Sequence, residues 1–260
     1  MDNVETYLYG QGRVSLALRD AITGALGRFV YVGDVSALSA KLTTEKAKHV
    51  ESNSGQKGTV RSFGIGKSCT LDMTWHQFDT DNLAIVLQGT SLATAAGTVT
   101  AEEIAGPLAV GDVFYLQNPG VSNVIIKDST GTPIVLVLDT DYSIEDAAFG
   151  RCRLLNVGTF AWPLLVDYSY SARKAAGMFT TGQKEYALRY EGVNLAEGNA
   201  PVMADYYKVA PDVLAELALI TSGSDVAGMQ ITGEVLRDTS KPATGALGQY
   251  GHITQIAAAA

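Results

Sequence analysis

Two runs of strict alternation, Leu38-Ser-Ala-Lys-Leu42 and Leu71-Asp-Met-Thr-Trp75, bracket a segment with little hydrophobic pattern of its own. Period-two patterning is that of a strand with one face in a core, so both runs read as hairpin legs anchored in a sheet. Between Glu45 and Gly66 apolar side chains thin out and Gly55, Gly58, Gly64 and Gly66 appear. Such a stretch buries too little surface to offset the entropy of ordering it, so an arm over about residues 44–67 is expected to project. From Lys41 to Lys67 six cations face two carboxylates, a local charge of +4 on a chain of net −8, which leaves −12 for the remainder. Lys46, Lys48, Lys57, Arg61 and Lys67 are therefore the candidate residues for docking on an acidic partner, with a second copy of this chain foremost. The same pattern also describes a solvated hairpin tip without a role.

The rest of the chain reads as strands with one short helix. Val14, Leu16 and Leu18 alternate with polar or small residues, Asp20 to Gly27 supplies a turn, and Phe29 to Val32 returns as a second strand. Asp79-Thr-Asp-Asn offers cap residues before Leu83, Ile85, Val86 and Leu87, so a helix is expected there, ending near Gly89. Further strands are predicted over 112–117, 121–127, 134–139, 153–157, 164–170, 186–193, 202–209, 213–220 and 229–236, the 213–220 stretch having a helical alternative. Ser91 to Gly97 and Gly198 to Pro201 read as loops. Strands at this spacing, with turn signals such as Asn118-Pro-Gly120, make the chain all-β, a sandwich or barrel with a protruding hairpin arm. One domain over 1–240 is expected, followed by a flexible tail over 241–260 that closes on Ala257 to Ala260.

Composition and motifs exclude several functions. The longest apolar runs are far short of the roughly 18 residues a membrane helix needs, and the N-terminus has neither a basic start nor an apolar segment, so synthesis in a cytosol is expected. Cys69 and Cys152 then read as small core residues. An acidic balance argues against a nucleic-acid grip, which needs cations that release phosphate counterions. Gly64-Ile-Gly-Lys67-Ser68 ends like a phosphate-binding loop, but Arg61 stands where that motif needs its first glycine. Three histidines at unrelated positions give no zinc ligand set. Asp139 and Asp141 share a strand face as glycosidase carboxylates can, yet they read better as the polar end of a buried strand. No catalytic residue, cofactor site or metal site is expected. Tyr168, Tyr170, Tyr206 and Tyr207 suit a subunit interface, where a ring meets apolar neighbours and a hydroxyl meets water, and equally suit packing on a sheet face.

The succession Tyr7-Leu-Tyr-Gly-Gln-Gly-Arg13, Glu51-Ser-Asn-Ser-Gly-Gln56, Asp79-Thr-Asp-Asn-Leu83, Val166-Asp-Tyr-Ser-Tyr170, Leu188-Arg-Tyr-Glu-Gly192, Asp205-Tyr-Tyr-Lys208, Ala215-Glu-Leu-Ala218 and Gly233-Glu-Val-Leu236 resembles the tail tube proteins of long-tailed bacteriophages. It is most similar to the non-contractile type and covers Tyr7 to Asp238. The resemblance implies a β-sandwich subunit that forms six-membered rings, stacked into a hollow tube in the virion that conducts DNA to the host. It also implies assembly in the host cytoplasm and, as partners, other copies of the chain, a tape measure protein, a tail terminator and distal tail or baseplate proteins. DNA would pass through the lumen without specific binding, and no membrane is involved. The residues leave open another virion β-protein, such as the tube of a contractile tail, a terminator or a head decoration protein, and a carbohydrate-binding β-sandwich.

Overall fold

The computed structural model describes residues 6–221 and 226–256. The strands in chain order are β1 (Gly10–Arg19), β2 (Leu26–Tyr31), β3 (Val35–Val50) and β4 (Thr59–Trp75), followed by the helix α1 (Thr80–Val86). Then come β5 (Ser91–Thr94), β6 (Gly97–Ile104), β7 (Val113–Tyr115), β8 (Val121–Lys127), β9 (Tyr142–Asp146), β10 (Arg151–Leu154), β11 (Leu164–Tyr170) and β12 (Arg173–Ala176). The chain finishes with β13 (Tyr186–Asn194), β14 (Ala200–Pro211), β15 (Met229–Val235) and β16 (Gly251–Gln255). The all-β reading holds, with α1 the single α-helix among the described residues. None of their helices is long and apolar enough to cross a membrane.

Where the sequence pattern suggests one domain over 1–240, the contacts divide the chain into two compact units. The first comprises Met1–Ser91 and Ala176–Ala260, the second Leu92–Ala175. The chain leaves the first unit along β5 and returns along β12, and these two strands pair with each other.

In the first unit one sheet runs β2-β1-β13-β14-β15-β4-β3, with β16 pairing the earlier part of β14 on the edge that β15 takes further along. Laid flat, its terminal strands β2 and β3 would stand about 29 Å apart, six strand spacings. Only Val32, Gly33 and Asp34 join them, and the step from Tyr31 to Val35 spans at most about 14 Å. The sheet must therefore curl. One row of partners crosses it, Leu18 to Tyr186, Val209, Val235, Cys69 and Leu42. The seam joins Val14, four residues to one side of that row, to Trp75, six residues to the other. This stagger is what tilted strands of a barrel produce. Val14, Leu16, Leu71, Met73, Trp75, Leu188, Val209 and Ile231 fill the inside together with Val86 and Leu87 around α1. Strict alternation in β15, where Met229, Ile231 and Val235 are buried and Gln230, Thr232 and Glu234 exposed, shows the period-two pattern at work.

Local chemistry fixes the helix and the seam. Asp79 accepts the backbone N–H groups of Asp81 and Asn82, a cap worth about 1 kcal/mol. Asn82, buried, donates its side-chain amide to the carbonyls of Val32 and Gln77, tying α1 to the seam. At Gly33 φ is +88°, and an added Cβ would lie 2.2 Å from the Gln77 side chain, so the link accepts no larger residue.

The second unit holds two three-stranded sheets, β7-β10-β9 and β6-β11-β8. Phe114, Tyr142, Cys152 and Leu154 from one sheet and Ile104, Val124, Ile126, Leu164 and Val166 from the other share one core, a small sandwich. Residues 134–139, expected as a strand, instead cross from Lys127 to Tyr142 through two isolated bridges. The fully buried Asp128 carboxylate organises this crossing, accepting N–H groups from Ile134 and Ala161. Asp139 and Asp141 lie in a turn and share no strand face; the Asp141 carboxylate accepts from Val137 N and Asn156 Nδ2. Both cysteines are buried and free, and burial pushes the Cys152 thiol up to about 11.

Other expectations need correction as well. Residues 213–220 form neither strand nor helix, because Leu214 donates its N–H to the Val86 carbonyl and drops its side chain into the core. Ser91 to Gly97, read as a loop, supplies β5 and the start of β6. The tail expected to be flexible carries β16, paired with Val202 to Tyr206; Ala257 to Ala260 lie outside the described residues.

The segment leading to β16 is pinned by an ion pair between Arg19 and Asp238, 3.1 Å long with side chains 12% and 4% exposed. Burial pushes the Asp238 carboxyl up, but hydrogen bonds from Ser240 and the Arg19 charge outweigh it and hold it below the usual carboxylate value. A depressed carboxylate contributes its full stability above about pH 4 and loses it as pH falls through the folded value. Replacing Asp238 by Asn strands the Arg19 charge, so we expect a loss of roughly 3 kcal/mol at pH 7 and a flatter acid limb. Urea denaturation at pH 7 and pH 3 checks both; an unchanged acid slope would refute this account.

Candidate functional site

The hairpin β3–β4 leaves the sheet at a definite point. β15 follows β4 from Trp75 only as far as Cys69, so from Ser68 outward β4 has no partner but β3. At this root the Tyr250 hydroxyl donates to the Lys67 carbonyl at 3.1 Å. Beyond it two bulges interrupt the ladder, between Glu45 and Lys46 and between His49 and Val50. Gly64 and Gly66 lie at the first of these. The strands persist to Val50 and Thr59, closed by a bond from Glu51 N to the Gly58 carbonyl at 3.0 Å. The arm is thus a regular ribbon where the sequence suggests one unable to order itself. Its residues nonetheless stand clear of the body, Thr59 to Ile65 all being exposed.

Residues directly opposite in a ladder project to the same face. Lys46 faces Gly64 and Lys48 faces Ser62, so one face of the ribbon is cationic over small side chains. Ala47 faces Phe63 and His49 faces Arg61 on the other. Lys57 sits in the turn at φ +50°, and Lys67 lies at the root opposite Thr44. The five expected cations therefore share one ribbon, divided between its faces. The apolar complement escapes a reading based on charge: Leu42, Val60, Phe63 and Ile65 are 53–81% exposed. Phe63-Gly-Ile65 was the available signal, an apolar pair at period two within the glycine-rich stretch.

Open sheet edges accompany the arm. β2 pairs only with β1 and β3 only with β4. Every residue of β2 is exposed, including Leu26, Phe29, Val30 and Tyr31. Unpaired edges of this kind offer backbone donors and acceptors to another chain.

The four tyrosines divide between the two units, Tyr168 and Tyr170 in the second and Tyr206 and Tyr207 in the first. Tyr168 is 3% exposed, donates its hydroxyl to Glu102 and accepts from Asn118, so it is a core residue of the second unit and not an interface residue. Burial, then the Glu102 bond, raises its pKa. Tyr170 packs half-buried against the same core. In the first unit Tyr206 packs on the barrel core, and Tyr207 bonds His252 Nδ1 at 2.9 Å.

A cleft of about 470 Å³ on the first unit is lined in part by Arg19, Arg189, Asp205, Tyr207, Asp238 and His252. Most of its charges pair with one another, Arg189 gripping Asp205 through two bonds of 2.7 and 3.1 Å and Arg19 holding Asp238, while the Lys241 ammonium lies 5.1 Å from the centre of the Tyr207 ring. Among the described residues no group of three His, Cys, Asp or Glu side chains is placed to hold a metal ion.

None of residues 43–68 enters the barrel core, so the arm and the fold are separable. Replacing Lys46–Gly64 by an Asn-Gly turn should leave the far-ultraviolet circular dichroism β-rich and shift Tm by only a few degrees. A collapse of the melting transition would show that the arm belongs to the core.

No curated protein matches the chain. Residues 7–254 match the family described as "protein of unknown function UCP028589", and the chain belongs to that family.

Proposed function

We propose that this chain is the subunit of a hollow tube, built by closing identical copies into rings and stacking the rings, and that the tube is the tail tube of a long-tailed bacteriophage. The observation that supports it is the ribbon from Thr43 to Ser68, exposed on both faces and carrying cations and bare apolar side chains. A lone two-stranded hairpin is marginal in water, so apolar side chains on one call for a partner surface. The open edges of β2 and β3 supply the second contact. Copies joined edge to edge in a ring leave no edge exposed, and six is the number that the resemblance to tail tube proteins suggests.

Stacking is a head-to-tail contact, which never closes and so propagates until another component stops it. The lysines of β3 act twice here. They discourage two β3 edges from pairing with each other, and they favour an acidic partner. With −12 on the remainder of the chain, such a surface is another copy of the body. The acid balance also suits a conduit wall, because carboxylates facing a lumen repel phosphates and let DNA slide. On this reading the location is the virion, and the partners are a tape measure protein, a terminator and distal tail proteins. Tyr168 and Asp141, which a glycan site would have used, are buried and bonded instead.

Negative-stain electron microscopy of the concentrated protein should reveal rings or tubes with six-fold symmetry. Lys57→Glu with Arg61→Glu should cut the polymerised fraction at least about tenfold without changing the melting curve, the arm contact being charge-dependent. Normal tubes from that double variant would refute the role of the arm.

A further inference from the structure

The antiparallel ladders decide which loops share an end of the open barrel. The turn at 51–58 lies at the end where β1 begins and β13 finishes. The opposite end gathers the turn after β1, the link before β3, the segment between β4 and α1, and the connection that follows β14. These stretches are rich in carboxylates. Asp20, Asp34, Asp212 and Glu216 are exposed there, and Asp81 is exposed in the first turn of α1 beside them. None of them has a cationic side chain within 4.0 Å among the described residues. Asp20 is kept ionised by bonds from Thr23 and the Ile22 N–H, which lower its pKa.

This end is not merely acidic. Ile22 is 95% exposed at the tip of the first turn, and Leu219 and Ile220 are 81% and 94% exposed in the connection after β14. Phe78 adds a ring that is 41% exposed. An apolar, anionic rim thus stands at one end of the sheet, and an apolar, cationic ribbon leaves toward the other. Complementary surfaces at opposite ends cannot satisfy each other within one copy, and satisfy each other between copies arranged head to tail.

We propose that the rim running from Asp20 and Ile22 through Asp34 to Glu216 and Ile220 is the docking surface for the β3–β4 hairpin of a second copy. The claim rests on the stacking reading above and adds the receiving surface. Lys46, Lys48, Lys57 and Arg61 meet the rim carboxylates, and Phe63 and Ile65 cover its aliphatic side chains. Charge sets register and encounter rate, while the apolar contact supplies most of the affinity.

Asp34 and Glu216 accept no side-chain hydrogen bond among the described residues, so reversing them tests docking and spares the fold. The experiment compares four full-length proteins by sedimentation velocity and negative stain: wild type, Asp34→Lys with Glu216→Lys, Lys57→Glu with Arg61→Glu, and the quadruple variant. Each double variant should lose at least about tenfold of the assembled fraction, and the quadruple variant should recover most of it. Assembly of the folded rim variant at the wild-type level, or a folded quadruple variant that stays as deficient as its parents, would overturn the rim and leave the tube reading intact. Charge-swapped rescue of oligomers that never form rings or tubes would support the rim and sink the tube. A wild type that remains monomeric at every concentration would overturn both.

Discussion

Three residues, Val32, Gly33 and Asp34, hold the first and last strands of a seven-strand path within covalent reach of one another. A flat sheet cannot satisfy that tether, so the curl, the stagger and the enclosed core around α1 all follow from it. The same tether explains why the two edges remain open. β2 and β3 are brought close but, being staggered by the tilt, form no ladder with each other. Closure is left unfinished, and the exposed edges become the natural place for another molecule.

The hairpin arises from a similar mismatch. β4 is the longest strand, while β15 accompanies only its inner half. A strand that outlasts its neighbour must either end or leave the sheet, and here the outer half continues as a ribbon with β3. Its exposed phenylalanine and isoleucine cost solubility unless something covers them.

Much of this was legible from residue order alone, for identifiable reasons. The bounds of β8 and β11 follow from β-branched and apolar runs flanked by turn residues, and the start of α1 from Asp79, a strong cap in front of Leu83 and Val86, although the helix ends at Val86 and not near Gly89. The failures share one cause: long-range contacts override the local pattern. Residues 134–139 carry a β-branched, continuously apolar run such as a buried strand has, but are held by Asp128 from outside the segment. Residues 213–220 favour helix or strand by composition, yet one bond from Leu214 to α1 fixes them as neither. The four tyrosines are ambiguous in sequence because a hydroxyl at a strand position reads alike whether it meets water or, as at Tyr168, a half-buried glutamate. The division into two units was invisible because strands of an insert and strands of its host carry the same period.

That division has a consequence for descent. The segment Leu92–Ala175 departs and rejoins along adjoining strands, β5 and β12, so its two ends lie side by side. A graft with neighbouring ends can be lost, exchanged or enlarged without rethreading the host ladder. Lineages sharing this barrel are free to carry unrelated cargo at that junction, and selection can act on the passenger while the carrier stays constant.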